Sequence, residues 1–268
     1  MKIKQIQVKT CLNKSKLTDY VINPYTGCSH GCKYCYADFI KRFQNIPDKW
    51  GEFVFAKVNC PELLKKELEK NKPGHIFISS VCDCYMPEEE NFQLTRKILE
   101  ILSKSKKFDV EILTKSALVK RDFDLLKKLN AEFGMSINQL DERIAQILEP
   151  GASPPRLRLA TLKEAKKKGI ITFGFISPVL PGISNLEEIF KELSNIKVSY
   201  VWVELFNMRK SSIDKLLPFY KKYFQQELEE FEWARNNQKL WQEEVRKEVA
   251  ELSKKFNIKV KEVVVHGE

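Results

Sequence analysis

Cys28, Cys32 and Cys35 lie in the run Gly27-Cys28-Ser29-His30-Gly31-Cys32-Lys33-Tyr34-Cys35-Tyr36, a CxxxCxxC spacing with no fourth cysteine nearby. Thiolates are the usual protein ligands of iron–sulfur clusters. Three of them on a four-iron cube leave one iron open to a substrate or cofactor, whereas a closed four-cysteine site mainly transfers electrons. The spacing therefore points to chemistry at an open iron. The alternative is a zinc site whose fourth ligand is His30 or a distant cysteine.

Such a loop needs a scaffold, and the chain supplies a regular one. Short apolar, β-branched runs at Tyr20–Asn23, His75–Ser80, Asp109–Thr114, Glu132–Ile137, Ile171–Ile176 and Tyr200–Glu204 read as buried strands. Between them lie amphipathic segments, among them Phe92–Ser105 and Phe123–Leu129, which read as helices. The alternation calls for a parallel sheet with right-handed crossovers, and six units suit an open, partial (β/α)6 barrel in the α/β class. Sites in such sheets lie at the carboxyl ends of the strands. The cysteine loop is expected there, directly after the first strand. Phe53–Val58 reads as an extra strand before a helix over Pro61–Glu69. The tail from Phe219 to Phe256 reads as one or two long helices, followed by a strand over Ile258–Val265. Its aromatic residues Tyr220, Tyr223, Phe224, Phe231, Trp233 and Trp241 are expected to pack against the barrel or at an interface, although aromatic rings also stack on bases.

With 268 residues and 43% hydrophobic content, the chain is long enough for one large core. We expect one domain over 1–268, with a core of about 20–220 and a C-terminal extension of about 221–268. No apolar run approaches the roughly 18 residues of a membrane span, and Met1-Lys2-Ile3-Lys4-Gln5 lacks the apolar stretch of a signal peptide. The reading is a cytoplasmic protein with no membrane partner. Seven cysteines with metal-ligand spacing in the closest group argue against a secreted disulfide framework, and Cys11 and Cys60 read as buried, inert residues. The net charge of +10 permits a phosphate-rich partner such as nucleic acid. Many of the lysines are interleaved with glutamates in the manner of solvated helix faces.

The cysteine motif, down to Tyr34 before the third cysteine, resembles that of the radical S-adenosylmethionine (radical SAM) superfamily. Further runs resemble its spore-photoproduct-lyase-like branch over most of residues 20–220. These are Asn23-Pro24-Tyr25-Thr26-Gly27-Cys28, Ser79-Ser80-Val81-Cys82-Asp83-Cys84-Tyr85-Met86-Pro87-Glu88, Thr114-Lys115-Ser116, Ser136-Ile137, Glu149-Pro150 and Pro178-Val179-Leu180-Pro181-Gly182. The resemblance implies a [4Fe-4S] cluster on Cys28, Cys32 and Cys35, with S-adenosylmethionine bound at the open iron. It also implies an electron donor such as flavodoxin or ferredoxin, and SAM contacts from Ser80, Lys115 and Ser136. A lysine ammonium suits the SAM carboxylate, and serine hydroxyls suit its ribose or amino group. Gly27 and Gly31 fit a tight loop around a cluster.

Cys82 and Cys84 are an addition just past the second core strand. There a thiol can donate a hydrogen atom to a substrate radical or ligate a second metal, and buried inert cysteine is the alternative. The lyases that repair spore photoproduct use a cysteine hydrogen donor near the end of this strand, a place that Ile78 can occupy here. Glu149-Pro150 with Arg156 is read as shaping the rim. His30, His75 and His266 form no base-and-nucleophile constellation. The expectation is a radical SAM enzyme with lyase-like chemistry on nucleic acid. A peptide or small-metabolite substrate, or a non-catalytic metal-binding module, remains open beside it.

Overall fold

The computed structural model describes residues 1–265, so His266 lies outside the described residues. Its strands in chain order are β1 (Lys2–Ile6), β2 (Asn13–Lys14), β3 (Tyr20–Ile22), β4 (Tyr25–Thr26), β5 (Phe53–Lys57) and β6 (Gly74–Ile78). They continue with β7 (Phe108–Thr114), β8 (Glu132–Ser136), β9 (Ile171–Val179), β10 (Tyr200–Leu205) and β11 (Val260–Val264). The main sheet runs β11-β10-β9-β8-β7-β6-β3-β2, parallel throughout except for the β2–β3 pair. Its two edges differ, so it is an open α/β sheet and not a closed barrel. The six expected core strands form its consecutive centre. The terminal strand joins beside β10, which ties the C-terminal extension into the same sheet.

Helices cover one face, and the sequence shows why. Ile76 and Ile78, Val110 and Ile112, Phe133 and Met135 lie at alternate positions of their strands, and each is buried in the main core. Burying each such side chain contributes about 1.5–3 kcal/mol. Helix Leu94–Leu102 adds Ile98, Leu99 and Leu102 to this core, and helix Leu186–Ile196 adds Ile189, Phe190 and Leu193. Helices Leu228–Asn236 and Gln238–Phe256 contribute Phe231 and Trp241 to the same core. Tyr220, Phe224, Phe231 and Trp241 are buried, whereas Tyr223 is 46% exposed, so four of these six tail aromatics pack as the expected core residues.

The opposite strand face is polar toward its carboxyl edge and apolar below it. Gly134, Phe173 and Tyr200 pair across β8, β9 and β10, with the Phe173 and Tyr200 rings stacked at 5.0 Å. Gly134 is required there, because a Cβ would meet the Phe173 ring at 2.2 Å.

Three sequence expectations need correction. The cysteine loop does not follow β3 directly. Tyr25–Thr26 intervenes and pairs with β5 in a separate three-stranded sheet, order β1-β5-β4. The helix expected over Phe92–Ser105 is broken at Gln93, which has a left-handed φ of 50° between helices Glu89–Phe92 and Leu94–Leu102. Cys11 and Cys60 form a disulfide and are not isolated. Parallel pairing of β1 with β5 brings these positions, 49 residues apart, to a Cα separation of 5.0 Å.

Glu111, on the sheet face away from the helices, has Glu132, Lys261 and His75 around it. Burial pushes its carboxyl up to about 7, with Glu132 reinforcing the shift and Lys261 opposing it. The folded chain therefore holds a proton that the unfolded chain releases above its ordinary carboxyl range. Stability should fall as pH rises from about 5 to 7, on the order of 2–3 kcal/mol. Glu111→Gln should flatten that decline and raise stability at pH 8, with little effect at pH 4.5, in urea unfolding series. An unchanged pH slope in the variant would contradict the assignment.

Candidate active site

The loop from Cys28 to Cys35 has no regular secondary structure and lies between two carboxylates. On one side Asp83 is buried and accepts from Tyr85 N–H at 2.8 Å, Thr114 Oγ1 at 2.7 Å and Lys115 N–H at 2.8 Å. His30 Nδ1 lies 3.3 Å from the same carboxylate. Burial holds His30 below the usual histidine pKa, with Lys115 and Arg158 adding to that effect against the pull of Asp83. The backbone N–H of Asp83 also hydrogen-bonds the Cys28 sulfur.

On the other side, Glu149 is buried and accepts from Tyr34 Oη and Arg158 Nη2. Arg158 is only 1% exposed, and it also donates to Ser153 O at 2.6 Å and Ser136 O at 3.1 Å. Two backbone bonds complete the clamp: Lys33 N–H to Leu148 O at 2.8 Å and Gly151 N–H to His30 O at 3.0 Å. Arg156, expected to shape this rim, does not do so. It is an exposed side chain paired with Glu142 at 2.7 Å, and Arg158 one helical face away fills the role. The start of helix Pro155–Lys167 sets that choice, since residue 158 points toward the sheet and residue 156 toward solvent.

The loop's turns need glycine at Gly27. Its φ is +86°, and a Cβ there would meet Phe53 O at 2.4 Å. Cys28 and Cys32 are buried and Cys35 is half-buried. Burial pushes the Cys32 thiol up to about 12, opposed by the Lys115 ammonium, and raises Cys28 and Cys35 as well. Lys115, just past β7, has its Nζ 5.8 Å from the Tyr34 ring. Burial works against its charge, but Cys32, Glu149 and Cys35 outweigh it and hold the ammonium above the usual lysine range. Among the described residues, no three or more His, Cys, Asp or Glu side chains gather as ligands of one metal ion.

Ser136 ends β8 on the face that carries Gly134, and its Oγ donates to Ser177 O at 3.3 Å. Ser177 Oγ donates in turn to Glu204 on β10. Ser80 lies past β6, where Ser79 adopts a φ of +83°, a strained conformation for a residue with a side chain. Asn23 organises this corner. Its Nδ2 donates to Ser80 Oγ at 2.9 Å, while its Oδ1 accepts from Val81 N–H at 2.9 Å and lies 3.6 Å from Cys82 Sγ. Lys57 Nζ donates to Asn23 O at 2.8 Å and acts electrostatically on Cys82. The two added cysteines therefore differ. Cys82 is half-buried, within electrostatic reach of Cys35, whereas Cys84 is fully buried in the main core. Asp83, Arg158 and Asn23 were not singled out from the sequence as working residues, because only the fold shows what lies opposite them.

This arrangement is that of a known class. The family model for the radical SAM superfamily matches residues 22–193. The chain is 35% identical over 269 residues to an uncharacterized protein of Methanocaldococcus jannaschii, covering 99% of this chain and 98% of that one. A radical SAM Nalpha-GlyT isomerase of Pseudomonas phage M6 is 24% identical over 204 residues, with 74% of this chain and 41% of that protein covered. Among solved structures, spore photoproduct lyase with a dinucleoside spore photoproduct aligns with a TM-score of 0.64 at 19% identity. The alignment covers 82% of this chain and 66% of the lyase; a lyase variant with bound AdoMet gives a TM-score of 0.65 at 18% identity. The chain belongs to the radical SAM superfamily. It is an enzyme of that class, with the same fold as spore photoproduct lyase.

The Glu149–Arg158 pair should be a stability determinant as well as a clamp. Arg158→Met leaves a carboxylate buried without its cation, which costs on the order of 3–5 kcal/mol. Pairing it with Glu149→Gln should recover a large part of that loss in a double-mutant cycle read by urea unfolding. Additive losses would show that the two side chains are not coupled.

Proposed function

We propose that Cys28, Cys32 and Cys35 hold a [4Fe-4S] cluster and that S-adenosylmethionine binds beside it through Ser80, Lys115 and Ser136. The observation that carries this reading is one short loop presenting three shielded thiols, with the Lys115 ammonium beside two of them. The donor set fits a cube, which takes its three thiolates at three different irons and so needs them spread, not converged on one point. N–H groups directed at Cys28 and Cys35 suit thiolate ligands, since such bonds stabilise charge on sulfur.

When bound and reduced, this pair of groups supplies a 5′-deoxyadenosyl radical. The chain's own residues orient and shield. Lys115 provides a fixed cation for a carboxylate, Ser136 and Ser80 provide hydroxyls at neighbouring strand ends, and the Asp83 and Glu149 contacts keep the thiol loop in register. Cys82 is the thiol on the rim and the better placed hydrogen-atom donor of the pair. By giving up its hydrogen to a carbon radical, it would become a thiyl radical. Cys84, inside the core, is assigned to packing.

We further propose a nucleic-acid substrate with lyase-like chemistry and a small redox protein, such as flavodoxin or ferredoxin, as electron donor. The net charge of +10 and the dinucleoside held by the lyase of the same fold support the substrate class.

Anaerobic reconstitution with iron and sulfide tests the cofactor assignments. Wild-type protein should hold about four irons per chain, and the variant with Ala at 28, 32 and 35 close to none. Lys115→Ala should keep its iron but bind SAM about tenfold or more weakly by calorimetry, the scale of one charge-assisted hydrogen bond. Full iron retention in the triple variant would overturn the ligand set, and unchanged SAM affinity would overturn the role of Lys115. A short oligonucleotide should bind with an affinity that falls steeply with salt; no binding at low salt would remove the substrate class.

A further inference from the structure

Asn138 and Gln139 carry a feature that neither the thiol loop nor the serine and lysine contacts explain. They are 0% and 2% exposed. All four of their side-chain amide atoms, Asn138 Oδ1 and Nδ2 with Gln139 Oε1 and Nε2, are buried without a hydrogen-bond partner among the described residues. Buried amides are almost always paired, and leaving one unpaired costs the full desolvation of the group. Two adjacent amides in this condition are a repeated cost at one place. Helix capping does not account for it, because Asp141 accepts from Arg143 and Ile144 N–H and caps the following helix itself.

The place is the carboxyl rim of the sheet. Ser136 lies two residues earlier, with its carbonyl held by Arg158. Ile137 N–H donates to Phe175 O at 2.9 Å, and Asn138 O accepts from Ser184 Oγ at 2.6 Å. The backbone is therefore fixed on both sides while the amides are left unpaired. An amide presents one donor and one acceptor in a plane, the pattern that pairs bidentately with the edge of a nucleobase.

We propose that Asn138 and Gln139 form a receptor for the donor–acceptor edge of a nucleobase at the rim beside Ser136. The base is either the adenine of SAM or a base of the nucleic-acid substrate, and to that extent the inference rests on the function proposed above. The amides are covered in the ligand-free chain, so binding must part the segment over 137–140 from the turn that carries Ser184.

The test uses the full chain, reconstituted anaerobically, with Asn138→Leu, Gln139→Leu and the double variant. First, the ligand-free melting temperature should stay unchanged or rise, since an apolar group of similar size replaces an unpaired amide. A drop of more than about 5 °C in both single variants would mean that the amides have structural partners, and would overturn the proposal. Second, calorimetry with SAM and with adenosine, and anisotropy with a labelled thymidine dinucleotide, should show a loss of about tenfold or more for one base. Weaker SAM and adenosine binding assigns the amides to adenine, and weaker dinucleotide binding alone assigns them to the substrate. Unchanged affinity for all three probes, or a wild-type chain that binds none of them, overturns the inference. Adenosine binding that depends on these amides in a chain that cannot assemble iron would leave it standing and overturn the cluster reading instead.

Discussion

A loop that must keep three thiols out of water, yet has no secondary structure of its own, has to be held from outside. Two buried carboxylates do this. Asp83 gathers the ends of β6 and β7, His30 and the N–H that faces Cys28, while Glu149 gathers Tyr34 and Arg158. A buried carboxylate is tolerable only when its lone pairs are filled, so each contact is demanded by the others. Lys115 sits between the two systems. Its N–H is tied to Asp83, and its ammonium is held charged among Cys32, Glu149 and Cys35. The geometry around the thiols thus follows from charge pairing more than from packing.

The scaffold does a different task with cheaper means. Alternating aliphatic residues bury one strand face under the helices, and the opposite face is left to carry a row of strand-end groups: Asn23, Lys115, Ser136, Ser177 and Glu204. Because neighbouring parallel strands end at one level, residues far apart in sequence converge on one rim. The strain at Ser79 and the unpaired amides of Asn138 and Gln139 lie along that rim, where a fold gives up stability in exchange for a site.

Much of this could be read from the chain itself. The six core strands have β-branched runs of the right length, and the cysteine spacing is specific enough to identify its loop. What could not be read is pairing across distance. Arg156 and Arg158 look alike in sequence, and only the direction of the helix start decides which one meets Glu149. Cys11 and Cys60 have no neighbours in the chain, yet the β1–β5 pairing puts them together. Cys82 and Cys84 are near neighbours, yet the irregular backbone past Ser79 sends one to the rim and the other into the core.

The central claim is that the thiol loop and the lysine beside it form a site for reductive cleavage of SAM. Its most direct test is the anaerobically reconstituted protein, supplied with SAM and dithionite and assayed for 5′-deoxyadenosine. The account predicts that the nucleoside forms in the complete mixture and is absent when reductant or iron is left out. A protein that assembles its iron and binds SAM, yet releases no 5′-deoxyadenosine on reduction, would contradict it.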